Sequence, residues 1–201
     1  MIRSGWLCLC WLAIAQGAEV YSYWIQPCTE DLAATSACRP ADHDLVQWAL
    51  EAWEQATGPG LRFTAASAED DARVRIYWLG KKPQLYGDTL VVYSHGKRVR
   101  IIEVQPDLSQ FGARIAKAGE SDPLFRDTVI YLTCLHEIGH MLSVPHTDDF
   151  TDIMYDFQYG GDVLEFFNRY RRTLHERLDI QEHSGISEAD RKRVAAIYAE
   201  R

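Results

Sequence analysis

The sequence predicts one α+β domain, and three observations carry that expectation. Short β-rich runs fill most of the first half of the chain. One amphipathic helical pattern interrupts them, and a long second one opens near residue 122. Helical patterns then dominate to the end. The order strand, helix, strands, helix, loop, helices indicates a sheet packed with helices in one domain, with α/β as the alternative to α+β. A length of 201 residues suits one domain, or two small lobes, with enough chain to bury a core.

The elements follow in order. Val20 to Gln26 is rich in aromatic and β-branched residues and reads as a first strand. Thr29 to Ala37 reads as a short polar loop bracketed by Cys28 and Cys38. Leu45, Trp48, Ala49, Ala52 and Trp53 recur at helical spacing, which predicts a helix over Asp42 to Thr57 ended by Gly58-Pro59-Gly60. Leu61 to Thr64 is a short strand. Arg73 to Leu79 alternates Val74, Ile76 and Trp78 with polar or amphipathic neighbours, as a strand with one buried face does. Thr89 to Tyr93 and Val99 to Val104 flank Ser94-His95-Gly96-Lys97 and predict a hairpin. Asp122 and Pro123 supply a cap and a first turn for a helix running to about Leu142. Val144 to Tyr159 has no steady period and reads as loop. Val163 to Leu178 reads as a second long helix, and Ser187 starts a final one.

The N-terminus carries export features. Arg3 precedes an apolar run from Trp6 to Ala15, too short to span a bilayer, and Ala15-Gln16-Gly17 offers small residues for a signal peptidase. Residues 1–17 are therefore expected to leave as a signal peptide, taking Cys8 and Cys10. An uncleaved N-terminal anchor is the alternative. The mature chain is expected outside the cytoplasm, extracellular or periplasmic, without stable membrane insertion and as a monomer. An oxidising compartment lets Cys28 pair with Cys38. Cys134 is then unpaired within a helix, where a buried thiol packs as a small apolar residue.

The formal net charge is -8, which argues against nucleic acid as a partner, because phosphate binding requires clustered Lys and Arg. The nearest basic run, Arg169 to Arg172, lies among acids and reads as a solvated helix face.

The chemistry concentrates in His136-Glu137-Ile138-Gly139-His140, with His146 six residues further on. Histidines four apart share one helix face, so His136 and His140 can converge on a metal. Zinc suits neutral imidazole, and three protein ligands leave a fourth position open for water. Glu137 falls beside the metal, placed to take a proton from the attacking water. His146 can join only if the helix breaks near Ser143 and the chain turns back.

His136 to His146 resembles the metzincin motif H-E-x-x-H-x-x-G-x-x-H, and Ile153-Met154-Tyr155 resembles the Met-turn of that family. Within it the chain is most similar to the matrixins, the matrix-metalloproteinase-like branch. Trp48 to Phe63, Asp71 to Ile76 and Ile186 to Asp190, followed by Ile197-Tyr198, resemble further matrixin segments, so the likeness covers most of the mature chain. The resemblance implies a twisted mixed sheet with an active-site helix, the Met-turn and a C-terminal helix. It implies a zinc metalloendopeptidase that cleaves peptide or protein substrates in a shallow cleft under an edge strand. Met154 would be a packing floor beneath the zinc and Tyr155 a cleft wall.

The sequence departs from the matrixin pattern at four places. Ser143 stands where the family has Gly, at a turn that Gly adopts freely. Leu79 to Arg98 offers only Asp88 and His95 where matrixins bind structural zinc and calcium, so neither of those ions is expected, and His95 reads as a turn residue. No pro-domain fits between the leader and the first strand, and Gln26-Pro27-Cys28 matches the inhibitory cysteine motif poorly. Residues 156–184 form a longer link, whose aromatics (Phe157, Tyr159, Phe166, Phe167, Tyr170) suggest an inserted helical segment near the cleft. Two alternatives stay open: a zinc hydrolase with Glu165 in place of His146, and a non-catalytic secreted zinc-binding domain.

Overall fold

The computed structural model describes residues 17–83 and 85–199. The expected leader, with Cys8 and Cys10, lies outside the described residues apart from Gly17. Strand β1 (Glu19–Ile25) leads into helices α1 (Glu30–Ser36) and α2 (Asp42–Thr57), then strands β2 (Leu61–Ala65) and β3 (Val74–Trp78). A hairpin of β4 (Gly87–Ser94) and β5 (Lys97–Val104) completes the sheet. The helices α3 (Ala113–Ser121), α4 (Pro123–Met141), α5 (Val163–Arg171), α6 (Asp179–Glu182) and α7 (Glu188–Ala199) follow. The architecture is α+β, as the order of periodic segments predicts.

The sheet order is β2-β1-β3-β5-β4. Neighbours among β2, β1, β3 and β5 pair in parallel, and β4 alone pairs antiparallel, with β5. β4 is therefore an edge, with one row of backbone groups unpaired by the sheet. Ser94 pairs with Lys97, which leaves His95 and Gly96 as a two-residue turn at φ 50° and 75°. Positive φ at both central residues is what a tight hairpin requires, so His95 is the turn residue expected.

α2 and α4 pack together, and Leu45, Ala49 and Trp53 of the first and Val129, Leu135 and Ile138 of the second are all fully buried. The Trp53 indole N–H donates to the Leu135 carbonyl at 2.9 Å. α4 is buried on nearly every face, and its start is fixed locally. The Asp122 carboxylate accepts from the N–H groups of Leu124 and Phe125, and Pro123 occupies the first turn. A buried, bidentate pair joins the two helices: Arg126 donates to both Asp42 oxygens at 2.8 and 2.9 Å and also to the Ala37 carbonyl. The segment that contains α1 is closed by the Cys28–Cys38 disulfide, and Cys134 is free and buried. Burial pushes the Cys134 thiol well above its ordinary pKa, which disfavours the nucleophilic thiolate. No helix among the described residues is long and apolar enough to cross a membrane.

Four segments depart from the expectations. Thr29 to Ala37 is not a loop: it contains α1, capped by Thr29 and closed by Ala37 at φ 59°. A helix of seven residues is too short to show a hydrophobic period. α3 lies in a segment where no element is expected, because Ile115 is its single buried residue. Val163 to Leu178 is not one helix. α5 stops at Arg171, where the Arg171 guanidinium donates to the Leu174 carbonyl, and Asp179 then accepts from the N–H groups of His175 and Glu176. The run Arg169 to Arg172 is not a solvated face either. Arg171 pairs with Asp122, Arg172 with Glu165, and Arg169 lies over the Phe166 ring.

Removing one member of the buried pair strands the other charge, at a cost of about 3–5 kcal/mol. Arg126→Ala should therefore lower the urea midpoint by that equivalent at an unchanged slope. A loss below about 1 kcal/mol would mean that water reaches Asp42 and the pair is not holding α2 to α4.

Candidate metal centre

α4 carries His136 and His140 on one face, and the chain reverses at its end. The Ser143 N–H donates to the His140 carbonyl and the Val144 N–H to the Gly139 carbonyl, both at 2.9 Å. This double closure is the Schellman arrangement, which places one residue in the left-handed region. That residue is Ser143, at φ 71°. Its hydroxyl makes no hydrogen bond among the described residues, so no side-chain bond there offsets the turn's cost. The reversal returns His146 to the open side of α4.

The three Nε2 atoms form a triangle. The separations are 3.0 Å between His136 and His140, 2.9 Å between His140 and His146, and 3.2 Å between His136 and His146. Three imidazoles holding one tetrahedral ion at about 2.0–2.1 Å place their nitrogens about 3.3 Å apart, so the triangle is near the size an ion requires. The far nitrogens are anchored. His136 Nδ1 lies 2.8 Å from the Ile153 carbonyl, His146 Nδ1 lies 3.4 Å from Asp156, and His140 is hydrogen-bonded to the Val144 backbone. A carbonyl can only accept, so His136 carries its proton on Nδ1 and turns a lone pair toward the triangle. Burial lowers the pKa of His136, and burial with its two neighbours lowers that of His140 to about 4. Both are neutral near pH 7, as ligands must be.

Glu137 points to the other side, against β4. The Thr89 hydroxyl lies 2.8 Å from its carboxylate and 2.9 Å from its backbone carbonyl. Burial pushes the Glu137 carboxyl up to about 7, against the lowering effect of the Thr89 bond. Gly87 makes this approach possible: a Cβ there would come within 2.7 Å of the Glu137 Cγ and 2.9 Å of the Glu103 carbonyl.

The triangle rests on a buried turn. A Cβ on Gly139 would meet the Met154 sulfur at 2.3 Å, so the helix lies directly on Met154, which is fully buried. Ile153 donates its N–H to Asp190 at 2.7 Å and accepts from His136 through its carbonyl. Asp190 and Asp152 are both buried and share Arg193, at 2.9 and 2.7 Å. The Ser187 hydroxyl lies between the two carboxylates.

Two cavities meet at the histidines and share His136, Glu137, His146 and Gly87. One, of about 480 Å³, reaches along β4 and β5 past Asp88, Arg98 and Arg100 toward Ser143. The other, of about 540 Å³, is lined by Tyr86, Leu132, Phe157, Phe166 and Phe167. Tyr155 lines the second cavity, with its hydroxyl donated to the Gly160 carbonyl.

His136, His140, His146, Glu137, Met154 and Tyr155 are thus brought to one region. Glu165 is not: it is exposed, paired with Arg172, and outside the histidine cluster. Asp88 and His95 are outside that cluster as well. Sequence reasoning missed Thr89, Gly87 and Asp156, which act across the chain and carry no local spacing signal. Asp190 was legible only as part of a helix start. The sequence matches no protein-family model, and it matches no curated protein.

Ser143 adopts a conformation that costs a residue with a Cβ about 1 kcal/mol, so Ser143→Gly should raise the unfolding free energy by about that amount. Ser143→Val, whose branched side chain resists positive φ, should displace His146 and weaken zinc binding in titration calorimetry. Equal zinc affinity for Val and Ser at this position would show that the turn does not set the place of His146 in the triangle.

Proposed function

We propose that the chain is a zinc-dependent endopeptidase whose site is similar to that of the metzincins, and within them to that of the matrixins. One observation carries this reading: three inward-turned imidazole nitrogens, anchored from behind, lie in the same cleft as a buried carboxylate that is not part of the triangle. Without a cation, three lone pairs at about 3 Å repel one another. The donor set fits zinc, which prefers imidazole and a four-coordinate shell.

In this reading His136, His140 and His146 hold the metal, and Asp156 and the Ile153 carbonyl fix the orientation of two of the rings. When bound, zinc supplies Lewis acidity to the scissile carbonyl and to water. Glu137 takes a proton from the attacking water and delivers it to the leaving amine nitrogen. Its raised pKa suits both halves of that transfer, and Thr89 holds it at the β4 side of the cleft. An extended peptide would add to the free edge of β4 through main-chain hydrogen bonds. The aromatic-lined cavity would take an apolar side chain next to the scissile bond. The disulfide agrees with an exported protein.

The exported chain should bind one zinc, and a chelator should abolish peptidase activity that added zinc restores. Glu137→Ala should retain the metal and lose about 10²–10⁴-fold in turnover. Elemental analysis on both proteins, with digestion of a random peptide library, checks the pair of outcomes. Loss of metal from the Ala variant would make Glu137 a ligand. Metal retention by both proteins with no cleavage by either would favour a non-catalytic zinc-binding domain.

A further inference from the structure

The cleft beyond the histidines contains a cation that the proposed chemistry does not use. Arg100 is 8% exposed, yet its side chain makes no ion pair and no hydrogen bond among the described residues. The other arginines buried to this degree are neutralised: Arg126 by Asp42, and Arg75 by Glu69 and Asp70. The Arg100 guanidinium is held over the Tyr21 ring at 4.8 Å, and Arg73 lies over the same ring at 4.9 Å. Stacking fixes its position but satisfies none of its five N–H donors and offers no counter-charge. The Tyr21 hydroxyl does not serve either, being buried without a hydrogen-bond partner.

Arg100 lines the cleft with Thr89, Glu137, His140 and Met141. Arg98 lies two residues earlier on the same face of β5, is exposed, and lines the same space without an ion pair among the described residues. Asp88 is the acid besides Glu137 in that lining, and it pairs with neither arginine. A nearly buried, oriented guanidinium that faces the cleft and pairs with no carboxylate among the described residues is arranged to accept one from outside, in the bidentate geometry that Arg favours.

We propose that Arg100, assisted by Arg98, forms a subsite for a carboxylate of the peptide substrate, on the side of the metal centre away from the aromatic cavity. This rests on the reading of the site as a peptidase. The carboxylate has two sources, an Asp or Glu side chain or the free end of the peptide. The enzyme would select acidic peptides although its own net charge is -8, because the local field of the cleft outweighs the distant surface charge.

The test uses zinc-loaded Glu137→Ala protein and fluorescent, amidated decapeptides in which one Glu is moved along a neutral sequence. Each is matched to its Gln counterpart, and one Gln peptide ends in a free carboxylate. Anisotropy should give at least tenfold tighter binding for Glu than for Gln at one position. The ratio should fall below threefold when Arg100→Met is added and should be partly kept by Arg100→Lys. If the free-ended peptide shows the tenfold gain instead, the carboxylate is the terminal one. Equal binding of every Glu and Gln pair and of the free-ended peptide overturns the subsite, whatever the variants do. Cleavage of the same peptides by the unsubstituted chain keeps the two ideas apart. Cleavage without charge discrimination sinks the subsite alone. Discrimination in binding that depends on Arg100, without cleavage, supports the subsite and removes the peptidase.

Discussion

The backbone of Ile153 is the joint on which the site depends. Its N–H is held by the buried Asp190 carboxylate on α7, and its carbonyl holds His136 on α4. Through one residue, the orientation of an imidazole in the middle of the chain is tied to a helix near its end. Asp152 and Asp190 are buried together around a single Arg193. Two carboxylates near one guanidinium are costly to bury, and burial raises the Asp190 pKa despite the Ile153 bond. The cost is offset because each oxygen meets a donor and the turn gains one fixed shape. Met154 follows directly and fills the space under Gly139, so the same turn sets both the orientation and the height of the histidine helix.

The opposite wall of the cleft is a sheet edge. β4 supplies Thr89 to Glu137, leaves Gly87 bare so that the carboxylate can approach, and presents Val91 beside Arg98 and Arg100. A free edge is a hazard in most sheets, because its unpaired groups can recruit another chain. Here the edge borders the histidines, and under the proposed function that pairing capacity would take an extended peptide. The antiparallel pairing of β4 in an otherwise parallel sheet follows from its two-residue turn, which leaves no length for a crossover.

The segment after the turn thickens the third side. α5 buries Phe166, Phe167 and Tyr170, and the first two line the aromatic cavity. Arg171 reaches back to the Asp122 cap of α4, and the Tyr131 hydroxyl donates to the Ser184 carbonyl. These contacts fasten residues 156–184 along the length of the helix that carries the histidines. The segment therefore belongs to the wall of the cleft rather than to a separate surface.

The sequence by itself determined the elements whose signals are local. The cap and first turn at Asp122 and Pro123, the helical face shared by His136 and His140, the hairpin turn at His95-Gly96 and the Cys28–Cys38 pairing all lie within a few residues of their causes. Spacing left His146 conditional on a break near Ser143, and the left-handed turn at Ser143 (φ 71°) is what brings it back. Where signals were short or sparse, as in α1, α3 and the break after Arg171, periodicity had too few turns to register. Only the tertiary structure decided which groups meet across the chain: Asp190 at Ile153, Thr89 at Glu137, Asp156 at His146 and, among the described residues, the lack of an acid paired with Arg100. Hydrogen bonds and ion pairs form at about 3 Å whatever the number of residues between the partners, so no period or spacing along the sequence encodes them.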